Sequence, residues 1–274
     1  MKQQNKRVLA LVESAVMIAL ATILSILKIM ELPYGGSVTL ASMLPIAIIS
    51  YRRGISLGFL SGLVYGVIQQ LLGLSNLSYV STWQSVVAVI MLDYVIAYTL
   101  FGIAGIFRKS IKSQPMALSL GCALACLLRY ICHVISGATV WAGLSIPTNA
   151  ALIFSFGYNA TYMLPEAIIA VVVATYIGSM IDFRKKELTR LSSKNRTAFT
   201  RYAIPVSAML VVASVIYDVL GIFRNIQTES GFDITGLKNA PITSMAIITS
   251  LTILIYIAAL VISNISEKRA GEDQ

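Results

Sequence analysis

The chain has 274 residues, 57% hydrophobic and only 12% charged, with a formal net charge of +9. Soluble domains carry about 25% charged residues, so this composition excludes an ordinary water-soluble protein. Nor does the positive charge point to nucleic acid, because it is confined to the connections between long uncharged windows: residues 8–27 contain only Glu13, and residues 55–92 contain no charged side chain.

About 20 apolar residues at 1.5 Å per residue cross a bilayer core. Inside lipid every backbone amide needs an internal partner, which leaves helices or closed barrels. Barrel strands alternate apolar and polar residues over about ten positions, whereas these windows are continuous runs of Leu, Ile, Ala and Val. The chain therefore reads as an all-α integral membrane protein. The pattern predicts eight spans, near residues 8–30, 38–51, 55–74, 84–107, 116–139, 151–181, 202–223 and 242–263. The first run is longer than a signal-peptide core and lacks a small-residue cleavage site, so it is expected to be a retained helix. Every basic residue except Lys28, Arg129, Arg224 and Lys238 falls on one side of this arrangement, and the positive-inside rule then makes both termini cytoplasmic. Three parts are expected: a six-span block over residues 1–183, a basic cytoplasmic linker over 184–201, and a two-span hairpin with a polar tail over 202–274. No internal repeat of the kind that marks large secondary transporters is evident.

Ionisable side chains inside spans are costly and tend to be functional. Asp93 falls in the outer half of the fourth span, with Tyr94 beside it and Tyr98 beyond. Arg129 and the only histidine, His133, are four apart on the fifth span and share a helix face. Glu166 follows Pro165 in the sixth span, with Tyr158 and Asn159 about two turns earlier. Trp83 and Trp141, the only tryptophans, fall at the outer ends of the fourth and fifth spans. Each has a structural explanation: an interfacial belt for the tryptophans, a buried ion pair for Asp93 and Arg129, a kink at Pro165. Their convergence on the outer half of three consecutive spans favours a site for a small, polar, aromatic and cationic ligand. The cysteines (Cys122, Cys126 and Cys132) are expected to be buried thiols; neither a disulfide, a metal site nor a cofactor is expected.

In order along residues 7–182 come the segments Gly35–Leu40 (GGSVTL), Met43–Ile46 (MLPI), Arg52–Gly54 (RRG), Leu92–Tyr94 (LDY), Gly102–Phe107 (GIAGIF), Leu128–His133 (LRYICH), Ser136–Gly137, Trp141 and Tyr158–Glu166 (YNATYMLPE). Together these resemble the thiamine-specific substrate-binding subunits of energy-coupling-factor transporters. The resemblance implies a six-helix binding subunit for thiamine with no ATPase of its own, which docks on a shared transmembrane subunit with two ATPase subunits. It places the family's binding acid on Asp93, its tyrosine on Tyr94, its histidine on His133, the basic residue before it on Arg129, its stacking tryptophan on Trp141 and its asparagine on Asn159. Phe154 stands where the family has a tyrosine, a loss that Tyr158 could offset, and Gly36 stands where some members have a tryptophan. Trp83 matches an aromatic before the fourth span, and Ala15 and Ala19 fit a small-residue docking patch on the first helix. The last two spans lie outside the family pattern.

Competing readings are a binding subunit for another vitamin or precursor, a self-sufficient secondary transporter, and an enzyme. The transporter would need an ion relay, and Asp93, Glu166 and Asp218 are few and scattered. His133-x-x-Ser136-Gly137 has a faint likeness to intramembrane serine protease motifs, but there the serine would have to precede the histidine on another helix. No glycine loop ending in Lys-Ser/Thr is present to cradle ATP.

Overall fold

The computed structural model describes residues 2–32, 35–143, 148–191, 198–228 and 231–272. Eight helices follow one another: α1 (Lys2–Ile26), α2 (Leu44–Arg53), α3 (Ile55–Leu72), α4 (Trp83–Arg108), α5 (Gln114–Gly143), α6 (Thr148–Met180), α7 (Ala198–Ile226) and α8 (Ile242–Glu272). An antiparallel hairpin of β1 (Lys28–Glu31) and β2 (Ser37–Thr39) joins α1 to α2. Among the described residues, seven helices, all but α2, are long and apolar enough to cross a membrane. The chain is a multi-pass membrane protein.

The predicted span at 38–51 takes a different form. Residues 37–39 pair in β2, Ala41 turns the backbone at φ 55°, and the helix begins only at Leu44, with Pro45 in its first turn. The ten residues of α2 cover about 15 Å, half a bilayer core, and nearly all of them are buried within the protein. Gly54, at φ 104°, separates α2 from α3; that left-handed conformation favours glycine.

Contacts cluster into two compact units, Met1–Ala174 and Thr175–Gln274, with the division inside α6. In the first unit α3 packs on α4 backbone to backbone. Gly58, Gly62 and Gly66 recur every four residues along α3, and a Cβ at any of them would strike a carbonyl oxygen of α4, that of Gly102, Tyr98 or Tyr94 respectively. Small residues at this spacing let membrane helices approach closely. The approach holds Tyr94 and Tyr98 at a fixed height beside α3. α4 also changes pitch along its length. It is α-helical over Trp83–Ala88, widens to a π-helix over Val89–Ile96, and tightens to a 3-10 helix over Phe101–Arg108. Asp93 sits in the widened turn, a feature frequent at functional sites. In the second unit α7 and α8 run antiparallel, with the Asp218–Thr249 hydrogen bond followed by Ser214–Thr252 at 2.9 Å.

Candidate functional site

Four elements of the first unit converge on a cleft: the β1–β2 hairpin, α4, α5 and α6. Its space, counted out through the open mouth, is about 790 Å³. One side is lined by Asp93, Tyr94 and Tyr98 of α4, another by Arg129, His133 and Gly137 of α5, and a third by Tyr158, Asn159 and Tyr162 of α6. Gly35, Gly36 and Ser37 of the hairpin close the remainder, with Asn76 from the turn after α3.

Helical spacing makes these walls. Arg129, His133 and Ser136 lie on one stripe of α5, and Tyr158, Tyr162 and Glu166 follow at four-residue steps on α6. Asp93 ties α4 to α5. Its Oδ2 accepts from the Ser136 hydroxyl at 3.0 Å, and its Oδ1 lies 3.1 Å from His133 Nδ1. The two side chains remain 20% and 12% exposed, so the pair is open to the cleft. Nε2 of His133 has no hydrogen-bond partner among the described residues.

The aromatic walls are tyrosine. Tyr94 and Tyr98 stand 6.4 Å apart, Tyr158 and Tyr162 meet edge to face at 5.7 Å, and Tyr162 meets His133 at 6.5 Å. Asn76 donates to the Tyr94 hydroxyl at 3.0 Å, and the Gly36 amide donates to the Tyr158 hydroxyl at 3.3 Å. Gly36 fits where no larger residue would, since a Cβ there would lie 2.9 Å from the Tyr158 hydroxyl and from the Tyr162 ring.

Behind Arg129 a second cavity opens toward the ends of α1 and α3 and shares Gly35, Ser37, Asn76, Tyr94, Tyr98 and Arg129 with the first. Glu166 lines this one and not the first. Its Oε2 accepts from Arg129 at 2.6 Å and its Oε1 from Thr39 of β2 at 2.6 Å. The Arg129 guanidinium also lies 5.2 Å from the centre of the Tyr98 ring.

The residues singled out in the sequence thus divide. Asp93, Tyr94, Arg129, His133, Tyr158 and Asn159 come together on one cleft. Asn159 is engaged with the protein itself: its Nδ2 donates to the Ser155 carbonyl at 2.8 Å and to Ser155 Oγ at 3.1 Å, and its Oδ1 accepts from Tyr162 at 2.5 Å. Glu166 is set one layer back. Phe154 does not line either cavity. Trp83 is 72% exposed at the start of α4 and lines neither cavity. The Trp141 side chain lies outside the described residues, as does Tyr34. Ala15 and Ala19 are both exposed on α1. Ser136, which the sequence marks only in a family segment and a protease-like motif, completes the site with Tyr162, Asn76 and Thr39; Tyr162 lies one helical turn from Glu166 and Thr39 pairs with Lys28 across the hairpin, whereas Asn76 falls in a window without charge and carries no such signal.

A multi-pass helical bundle with a polar, tyrosine-walled cleft is a protein that binds a small molecule at a membrane. The profile of the thiamine transporter protein family (Thia_YuaJ) matches residues 11–184, and the chain belongs to that family. It is a transport protein, not an enzyme. Similar relatives are the thiamine transporter ThiT of Bacillus subtilis (strain 168), 35% identical over 181 residues covering 62% of this chain and 90% of the relative, and ThiT of Lacticaseibacillus paracasei, 26% identical over 187 residues covering 62% and 87%. Among solved structures, ThiT from Listeria monocytogenes shares the fold, with a TM-score of 0.52 and 21% identity over 63% of this chain and 94% of that one. The family match ends at residue 184, before α7 and α8.

Proposed function

We propose that this chain is the high-affinity thiamine-binding subunit of an energy-coupling-factor vitamin importer in a prokaryotic cell membrane. The observation that carries the substrate is Asp93, a partly exposed carboxylate facing a cleft walled by tyrosines. Thiamine joins an aminopyrimidine to a permanently cationic thiazolium. The carboxylate supplies the counter-charge, and aromatic faces attract an organic cation within about 6 Å of the ring centre. Nε2 of His133 offers a hydrogen-bonding atom to the ligand, Tyr94 and Tyr158 contribute hydroxyls, and the stacking role falls to Trp141 by resemblance to the family. Arg129 and Asn159 hold the walls in place, and the hairpin carrying Gly35–Ser37 closes over the bound vitamin.

Delivery follows from docking. Ala15 and Ala19 lie exposed four residues apart on α1, and small residues at that spacing admit a partner helix closely. In this reading the partner is a shared transmembrane subunit with two ATPase subunits, and toppling of the bundle against it opens the cleft inward. Residues 1–183 form the binding domain, 184–201 a cytoplasmic linker and 202–274 an added hairpin; both termini lie inside in this reading, which requires β2 and the short α2 together to make one passage across the membrane beside the seven long helices.

The test is a calorimetric titration of the purified protein in detergent with thiamine, alongside tryptophan fluorescence of wild type and Trp141→Phe. Saturable single-site binding with quenching lost in Trp141→Phe supports the reading. No heat and no quenching moves the substrate to another vitamin.

A further inference from the structure

We propose that Glu166 sets the charge selectivity of the cleft without touching the ligand: it neutralises Arg129, so that Asp93 is left as the uncompensated charge. This rests on the thiamine reading above. The argument begins with a count of charges. Asp93 and Arg129 both line the first cavity, and alone they would cancel for any ligand lying between them. Glu166 stands outside that cavity, 2.6 Å from the guanidinium, and the two side chains are 8% and 3% exposed. Of the two carboxylates and the guanidinium, one negative charge is then left over, on Asp93. In a medium less polarisable than water such a charge is weakly screened, so it favours an organic monocation over a neutral or anionic molecule of the same shape.

Three features fit this role better than a direct contact. Both Glu166 oxygens are engaged, one by Arg129 and one by Thr39. Arg129 keeps a buried Nε with no hydrogen-bond partner among the described residues, a donor that would draw an anion into the cleft if Glu166 did not offset its charge. And the Glu166–Thr39 bond fixes the carboxylate against the hairpin, so the neutralising group cannot swing away while β2 is in place.

Glu166→Gln retains the shape and, with its oxygen toward Arg129 and its amide nitrogen donating to the Thr39 hydroxyl, keeps both partners while removing one charge. The experiment titrates thiamine, and a neutral isostere in which a thiophene replaces the thiazolium, into wild type, Glu166→Gln and Arg129→Met/Glu166→Gln. The expected result is thiamine affinity lower by roughly tenfold or more in Glu166→Gln, with the isostere changed far less. In the double variant, which restores the net charge but loses the Arg129 contact with Tyr98, thiamine regains affinity by at least roughly threefold over Glu166→Gln. Unchanged thiamine binding in Glu166→Gln, an equal loss for both ligands, or a double variant no better than the single one would each overturn the proposal. If Glu166→Gln does not fold, the double variant decides through the ratio of the two ligands: a preference for thiamine over the isostere within roughly threefold of wild type supports the assignment, and a preference reduced roughly tenfold or more overturns it. Absence of thiamine binding in wild type removes the substrate reading and this inference with it, a result distinct from binding that ignores Glu166.

Discussion

Asp93 and Asp218 are both carboxylates within apolar helices, and their surroundings differ. Asp93 lies in a widened turn of α4, held by Ser136 and facing His133, and borders an open cleft. Asp218 lies on α7, where the Thr249 hydroxyl of α8 takes one oxygen and the other is buried without a partner among the described residues. One turn away Ser214 and Thr252 repeat the pattern with hydroxyls alone. Charge inside a membrane is costly in both places. In the first unit it is set out in pairs around empty space, the arrangement a ligand can use. In the second it joins two helices, the use that polar side chains commonly serve between membrane helices.

That contrast is sharpened by mutation. Asp93→Ala should lower thiamine affinity by roughly 30-fold or more, the cost of removing one partner of a desolvated charge pair, whereas Asp218→Ala should change it by less than about twofold; calorimetry on both variants checks this. Gly36→Leu should cost on the order of tenfold, because its side chain enters space held by Tyr158 and Tyr162. Thr39→Val removes the hydrogen bond between hairpin and Glu166; about 1 kcal/mol, or roughly fivefold in affinity, is expected, seen as faster thiamine dissociation. Thr249→Val should leave thiamine binding intact while lowering the stability of the α7–α8 hairpin by about 1–3 kcal/mol, measured by thermal unfolding in detergent, since it strips the partner from Asp218.

Much of this was legible before any coordinates. The long spans announce themselves because lipid forbids charge over about 20 residues, and Asp93, Arg129 and His133 stand out for the same reason. The 38–51 segment reads as one continuous helix because hydropathy does not register a backbone turn, whereas the hairpin and the positive φ of Ala41 consume its first half. The widened turn of α4 has no compositional mark either. Tyr162 and Asn76 carry no mark of their own in the sequence because uncharged polar and aromatic side chains are ordinary within spans, and only packing selects those that face the cleft; the same packing gives Ser136 its role as donor to Asp93. The glycine stripe on α3 was present in the sequence at Gly58, Gly62 and Gly66, but its meaning depends on which helix lies against it. The separate position of Trp83 has a similar cause: being at the outer end of a span does not fix the direction a side chain faces. Glu166 stands out as costly, but the ion pair the sequence suggests, Asp93 with Arg129, is not the one formed: Arg129 pairs with Glu166, and Asp93 accepts from Ser136.

The central claim is that Asp93 is the counter-charge to a cationic ligand. Its most direct test is a calorimetric comparison of thiamine with its neutral thiophene isostere in wild type and in Asp93→Asn. The account predicts that the substitution weakens thiamine by roughly 30-fold or more while changing the isostere by only a fewfold. Equal losses for the two ligands, or none for thiamine, would contradict it.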